Sequence, residues 1–277
     1  MYYFDLSLDF VGHCEAHPEE MYTMKIRISL LLLLVSTSLS PLWTQTEKSP
    51  QVDLDPGILI GLDYGYNIVG GDMKERFDNN LQVGAKVSYL FKNINFQVGL
   101  RGTYFFGDTV KQDVLAHLRD TNGHIIGING DYAQVKLRQR GFDLGIFGSY
   151  VFPFKRINER SGLRIDLGVS LLQHWIRLQD DYNTVAQFDD PYQKGYDRLT
   201  NGLALNQFIG FQYLSTNRRV NFYAGFSFTQ AWTESRRDYD FSSLSSDLGN
   251  RFDLMSGIKV GWILPIYMES QPDELFY

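Results

Sequence analysis

From Leu81 to Phe106 the chain alternates apolar residues with polar, charged or glycine ones, in two runs separated only by Lys92, Asn93, Ile94 and Asn95. The first run carries Leu81, Val83, Ala85, Val87, Tyr89 and Phe91 on one phase; the second carries Phe96, Val98, Leu100, Tyr104 and Phe106. Successive side chains of a strand point to opposite faces, so the stretch reads as a hairpin with one apolar and one polar face. Each arm is ten residues or longer, and its apolar face ends in aromatic rings. That combination suits a strand that crosses a bilayer in the wall of a barrel, apolar toward lipid and polar toward the lumen.

The same pattern recurs along the chain. Ile58 to Ile68, Phe142 to Phe152, Leu163 to Trp175, Leu203 to Tyr213, Phe222 to Trp232 and Phe252 to Leu264 each place large apolar residues on one phase. Upstream of Phe142, Val135 and Leu137 are apolar on the opposite phase, and a bulge near Gln139 to Gly141 is expected to reconcile the two. Eight strands result. The connections alternate: long after strands one, three, five and seven, and short at Lys92–Asn95, Pro153–Gly162 and Ser215–Arg219. The expected fold is therefore all-β, a single eight-stranded antiparallel up-and-down transmembrane β-barrel over residues 57–267, with loops outside the cell and both termini periplasmic. Apart from one short N-terminal run, no apolar stretch approaches the roughly 20 residues of a membrane helix.

The beginning of the chain reads differently. Met24 to Arg27 is basic, Ile28 to Val35 is apolar, and Ser36 to Thr44 is small and polar, so 24–44 is expected to be a signal peptide. Residues 1–23 form an acidic upstream extension expected to lie outside the fold; 45–56 read as a periplasmic lead-in and 268–277 as a periplasmic tail. The single cysteine, Cys14, falls in the extension, so the barrel needs no disulfide. Without residues 1–44 the chain has 24 basic and 27 acidic residues, a net charge of −3. Such a balance offers no footprint for nucleic acid.

On the inward phase lie four acids and four bases: Asp63, Lys86, Arg101, Asp143, Arg164, Asp166, Asp253 and Lys259. The interior of an eight-stranded barrel is just wide enough for its own side chains. Charges placed there must pair, and the expected outcome is a salt-bridged plug. A gated ion path would favour a ring of one sign.

His174 beside Trp175 is the one histidine near a strand end, where Ser170 or Asp180 could serve it in a lipid-modifying reaction. No diagnostic spacing supports that chemistry, and none calls for a metal or another cofactor. The third long loop is acidic but interleaves Tyr182, Phe188, Tyr192 and Tyr196; the fourth follows Trp232 and holds Tyr239. With Phe276 and Tyr277 of the tail, these are candidates for a partner surface, since aromatic residues are enriched at interfaces.

The strand pattern, the closing Gly261-Trp-Ile-Leu-Pro-Ile-Tyr267, the aromatic-ended tail and the leader ending near Gln45 resemble the small outer-membrane β-barrel proteins of Bacteroidota, within the wider OmpA/OmpX-like eight-stranded group. The resemblance covers residues 57–267. It implies an outer-membrane protein, in contact with lipid and lipopolysaccharide, that is not an enzyme and that serves as an accessory or scaffolding subunit of a secretion or assembly complex. The alternatives are a lipid A-modifying enzyme and a small passive pore.

Overall fold

The computed structural model describes residues 55 to 268, apart from 93, 155, 183, 186, 187, 189 to 191, 216 to 219 and 246 to 248. The extension, the signal peptide, most of the lead-in, and Phe276 and Tyr277 of the tail lie outside the described residues. In chain order the elements are β1 (Gly57–Gly71), α1 (Met73–Arg76), β2 (Asn80–Leu90), β3 (Phe96–Gly107), β4 (Ile125–Ile126), β5 (Tyr132–Ala133), β6 (Val135–Pro153), β7 (Gly162–Asp180), β8 (Thr200–Leu214), β9 (Asn221–Ser235) and β10 (Asn250–Tyr267). Apart from β4 and β5, which form a small hairpin of their own, the strands close into one ring in the order β1-β10-β9-β8-β7-β6-β3-β2. All neighbours run antiparallel, and β1 meets β10 from Gly57↔Tyr267 to Gly71↔Asp253. Closure leaves no edge strand, which is what lipid demands: an unpaired backbone N–H or C=O there has no water to bond.

The apolar phase faces outward. Leu62, Leu100, Leu144, Leu167, Val169, Leu203, Phe226 and Ile258 all stand exposed on the outer wall. Aromatic rings bound this wall at both heights. Toward the long loops, Phe142 meets Trp175 (centroids 6.3 Å) and Trp232 meets Phe252 (5.7 Å). Toward the short turns, Phe91 meets Phe96 (5.8 Å) and Tyr213 meets Phe222 (5.6 Å). Apolar wall and two rings together make the chain an integral membrane barrel of the outer-membrane type.

The bulge expected near Gln139 to Gly141 is absent. β6 pairs with β7 in one unbroken register from Val135↔Asp180 to Pro153↔Gly162, and with β3 from Phe96↔Tyr150 to Gly107↔Gln139. Val135 and Leu137 therefore point inward, where they pack against a buried apolar cluster. The phase never changes; the polarity of the two faces does. Beyond Phe142, Arg140, Arg138 and Lys136 occupy the outer face of β6. On β7 the outer face passes from Leu171 through Gln173 and Trp175 to Arg177 and Gln179, while Leu172, Ile176 and Leu178 become buried inside. The cause is height. Crossing a bilayer takes about 9–11 residues, yet β6 and β7 have 19 each. Their upper parts leave the lipid, so the outside meets water and the inside can hold a core. Gly141 answers to this core as well: a Cβ there would lie 2.2 Å from Cζ of the Phe105 ring.

Two further segments read as polar loops turn out to build that core. After β1 the chain turns into α1, which buries Met73, and then Phe77. The segment between β3 and β6 contributes Val114, Leu115 and Ile125. Tyr196 and Phe188 of the third loop pack on them. The short-turn end is closed by a smaller cluster of Leu59, Leu90, Phe208, Leu214, Tyr223 and Ile263. One strand face supplies a direct check of the inversion. Val169→Arg, midway up the lipid-facing side of β7, should cost about 2–4 kcal/mol. Gln179→Arg, on the same face of the same strand but above the aromatic ring, should change stability by less than about 0.5 kcal/mol. Denaturant titrations in lipid vesicles measure both.

Candidate functional site

All eight predicted lumen charges face inward, but their pairing is not four against four. Arg101 Nη2 donates to Asp143 Oδ2 at 2.8 Å. Arg164 grips Asp166 through two hydrogen bonds, at 2.6 and 2.9 Å, and gives a third, at 2.9 Å, to Gln212 Oε1. Lys86 Nζ lies 4.0 Å from Asp166 and only 3.6 Å from the centroid of the Tyr223 ring, a cation–π contact. Lys259 Nζ stands 3.7 Å from Asp63, whose other oxygen accepts the Tyr223 hydroxyl at 2.7 Å. Four bases thus share three acids, and Tyr223, 1 % exposed, is the residue around which they gather. A fork of donors matching a carboxylate makes the Arg164–Asp166 pair the firmest of these contacts.

Asp253, the fourth acid, belongs to a separate group nearer the loop end. Its Oδ2 meets His174 Nε2 at 3.0 Å and accepts the Thr233 hydroxyl at 2.6 Å. Phe77 packs edge-on to the imidazole at 5.5 Å, and the neighbouring Arg76 donates to Thr200 Oγ1 at 3.2 Å. His174 is 1 % exposed. Neither partner suggested by the sequence reaches it: Ser170 Oγ accepts from Asn206 at 2.5 Å, and Asp180 accepts the backbone N–H of Thr184 and Val185 at 2.6 and 2.9 Å. Asn67, Asn80 and Gln139 bond in a buried chain of their own, Asn67 to Asn80 at 2.9 Å and Asn80 to Gln139 at 3.2 Å.

Within the plug lies a cavity of about 30 Å³ lined by Asp63, Lys86, Arg101, Asp166, Tyr223 and Lys259 among others. A single water needs about 10–15 Å³ by this measure, so this cavity has room for two or three waters. The paired charges lie between an apolar cluster at the loop end and a smaller one at the turn end.

The candidate partner surface divides. Tyr182, Tyr192 and Tyr239 are exposed, 74 %, 59 % and 45 % respectively. Tyr196 is buried, stacked on His117 at 5.6 Å, and Phe188 is partly buried beside it. Both serve the core of the loop cap because its apolar interior is large enough to need them. Trp232 sits on β9 opposite Leu203 and Phe252, as the strand pattern places it, in the aromatic ring of the lipid-facing wall. Three further apolar residues that aromatic content alone had not marked are exposed in the connections at the loop end: Ile126, Ile128 and Leu244. Two acids of the third loop act within the fold, Asp180 by capping backbone and Asp197 by pairing with Arg237.

No protein-family model matches the chain, and the comparison with curated proteins returns no match. Among solved structures it is similar to Neisserial surface protein A (NspA), at 9 % identity over 75 % of this chain and 96 % of that one, TM-score 0.42. It is also similar to Ail, the attachment invasion locus protein of Yersinia pestis (13 % identity, 76 % and 99 % covered, TM-score 0.37). A third is the outer membrane protein OprG from Pseudomonas aeruginosa (13 %, 76 % and 96 %, TM-score 0.29).

The plug makes a quantitative prediction. Asp143→Leu leaves the part-buried Arg101 of the lumen without its hydrogen-bonded carboxylate and should cost up to about 3–5 kcal/mol. Arg101→Met combined with Asp143→Leu should cost clearly less than the single change, because no lone charge remains. Unfolding curves of the three proteins in one detergent provide the comparison.

Proposed function

We propose that the chain is a non-enzymatic outer-membrane barrel that acts as an accessory or scaffolding subunit, holding partner proteins at its loop end outside the cell. The observation that carries the reading is an ordered cap displaying large apolar side chains to solvent. Ile126 and Ile128 stand on the β4–β5 hairpin, with Tyr132 beside them. That hairpin is tied to the third loop by Ile128 N–H donating to Thr184 O at 2.8 Å, and Tyr182 projects nearby. Asp120 steadies its base: the backbone N–H groups of His124 and Asn122 donate to the carboxyl and hold it below the ordinary carboxylate range. Contiguous exposed apolar surface on an ordered scaffold marks interaction sites.

A second feature fits the same reading. Gln207 and Gln230 lie on the lipid-facing phase of β8 and β9, diagonal to one another, and neither amide has a hydrogen-bond partner among the described residues. An unpaired amide in hydrocarbon is costly, and a protein neighbour in the membrane removes that cost. The interior supports the alternatives less well. A passive pore needs a water column that the plug fills. A lipid A-modifying enzyme needs His174 within reach of lipid, whereas its ring is enclosed by the strands and covered by Phe77.

Tagged protein extracted gently from its native membrane should migrate as a complex larger than the barrel alone. Ile128→Ser combined with Tyr182→Ser should release the partner while leaving the barrel folded. A wild-type protein that runs only as a monomer contradicts the proposal.

A further inference from the structure

Above the aromatic ring, the outer faces of β6 and β7 carry a concentration of positive charge that neither the plug nor the cap uses. The register sets Arg138 directly opposite Arg177, with Lys136 opposite Gln179 one step higher and Arg140 opposite Trp175 one step lower. Like charges directly opposite on one face of a sheet repel and destabilise the pair. The nearby counter-charge is thin. Arg138 Nε has Asp108 at 3.6 Å, a carboxylate whose side chain is 78 % exposed. Arg140 spends its Nη1 on the carbonyls of Gly107 and Gln139, at 3.3 and 2.6 Å. Arg177 and Lys136, both exposed, have no ion pair or hydrogen bond among the described residues. Asp181 lies close by in sequence but accepts from Gln179 Nε2 at 2.5 Å.

The cluster is one-sided. At the corresponding rim of β8, β9 and β10 the outward residues are Asn201, Glu234 and Asn250, and a cation beside them, Arg236, donates to Asn201 Oδ1 at 2.5 Å and lies 3.6 Å from Glu234. Its height is also informative. Arg138 and Arg177 stand two residues beyond Arg140 and Trp175, roughly 7 Å farther along the strands. Trp175, packed on Phe142, marks the edge of the hydrocarbon. The headgroup layer occupies about the next 5–7 Å on each side of the hydrocarbon core. Two guanidiniums facing each other at that depth match the oxygens of a phosphate, which each can grip with paired N–H donors.

We infer that Arg138 and Arg177, flanked by Lys136, form a binding site for the phosphate headgroup of a membrane lipid in the leaflet at the loop end. The lipid phosphate bridges the two arginines, turns their repulsion into attraction and fixes one side of the barrel to a bound lipid. The site depends on the barrel and its depth in the membrane and stands independently of the partner reading.

The test uses the whole barrel in maltoside micelles, which contain no phosphate, with and without phosphatidic acid. In micelles alone, Arg177→Gln relieves the like-charge contact, and its unfolding midpoint should equal or exceed that of the wild type. With phosphatidic acid the wild type should rise well above the variant, reversing the order. Bound phosphatidic acid, counted by native mass spectrometry, should fall roughly tenfold in Arg138→Gln/Arg177→Gln, and Arg138→Lys/Arg177→Lys should recover only part of it. Equal lipid binding and equal midpoint shifts in wild type and Arg177→Gln overturn the proposal. So does full displacement of the lipid by millimolar inorganic phosphate, which would make this a site for free anions.

Discussion

Inside hydrocarbon a backbone amide can bond only to another part of the protein, and the closed ring from β1 to β10 follows from that constraint. Closure with eight strands has a second consequence, because the enclosed space is narrow enough that side chains must fill it. Inward positions that would be solvated in an open sheet become a buried interior. Any charge placed there needs an opposite charge or an aromatic face within a few ångström. The gathering of Lys86, Arg164, Asp63 and Asp166 about Tyr223 is the result.

Paired charges in such an interior do not by themselves stabilise a fold, since desolvation offsets most of the attraction. What they do is define one arrangement. Arg164 holds Asp166 and Gln212 at once, so β7 and β8 are tied at fixed register near the turn end. Asp253 performs the same service at the loop end, joining β10 to β9 through Thr233 and to β7 through His174. With apolar clusters toward both ends, the barrel turns its lipid-facing wall, its rim and its cap outward.

The strand pattern was legible from the residues, because alternation over ten positions has few other readings; the lumen residues followed from phase alone. The cap was not. Met73 and Phe77 sit in a short polar stretch between β1 and β2, and single apolar residues within loops carry no periodic signal. The expected bulge at Gln139 to Gly141 rested on the assumption that apolar residues keep facing lipid along the whole strand. That holds only within the bilayer, and β6 continues past it. Asp253 was grouped with the lumen charges because all inward residues look alike in sequence; which of them share a height depends on strand tilt. Trp232 reads both as an outward strand residue and as part of a partner surface, because a tryptophan beside a polar loop looks the same in either role; it stands on the outer face of β9.

The central claim is that each strand keeps one phase throughout while its two faces exchange polarity at the loop-end aromatic ring. Single-site spin labelling along β7, with lipid-soluble and water-soluble relaxation agents, tests it most directly. Labels at Leu167, Val169 and Leu171 should respond to the lipid-soluble agent, and those at Arg177 and Gln179 to the water-soluble one. Labels at Ile176 and Leu178 should respond to neither. Water access at Ile176 and Leu178 together with shielding at Arg177 and Gln179 would show that the phase slips within the strand, and would contradict the account.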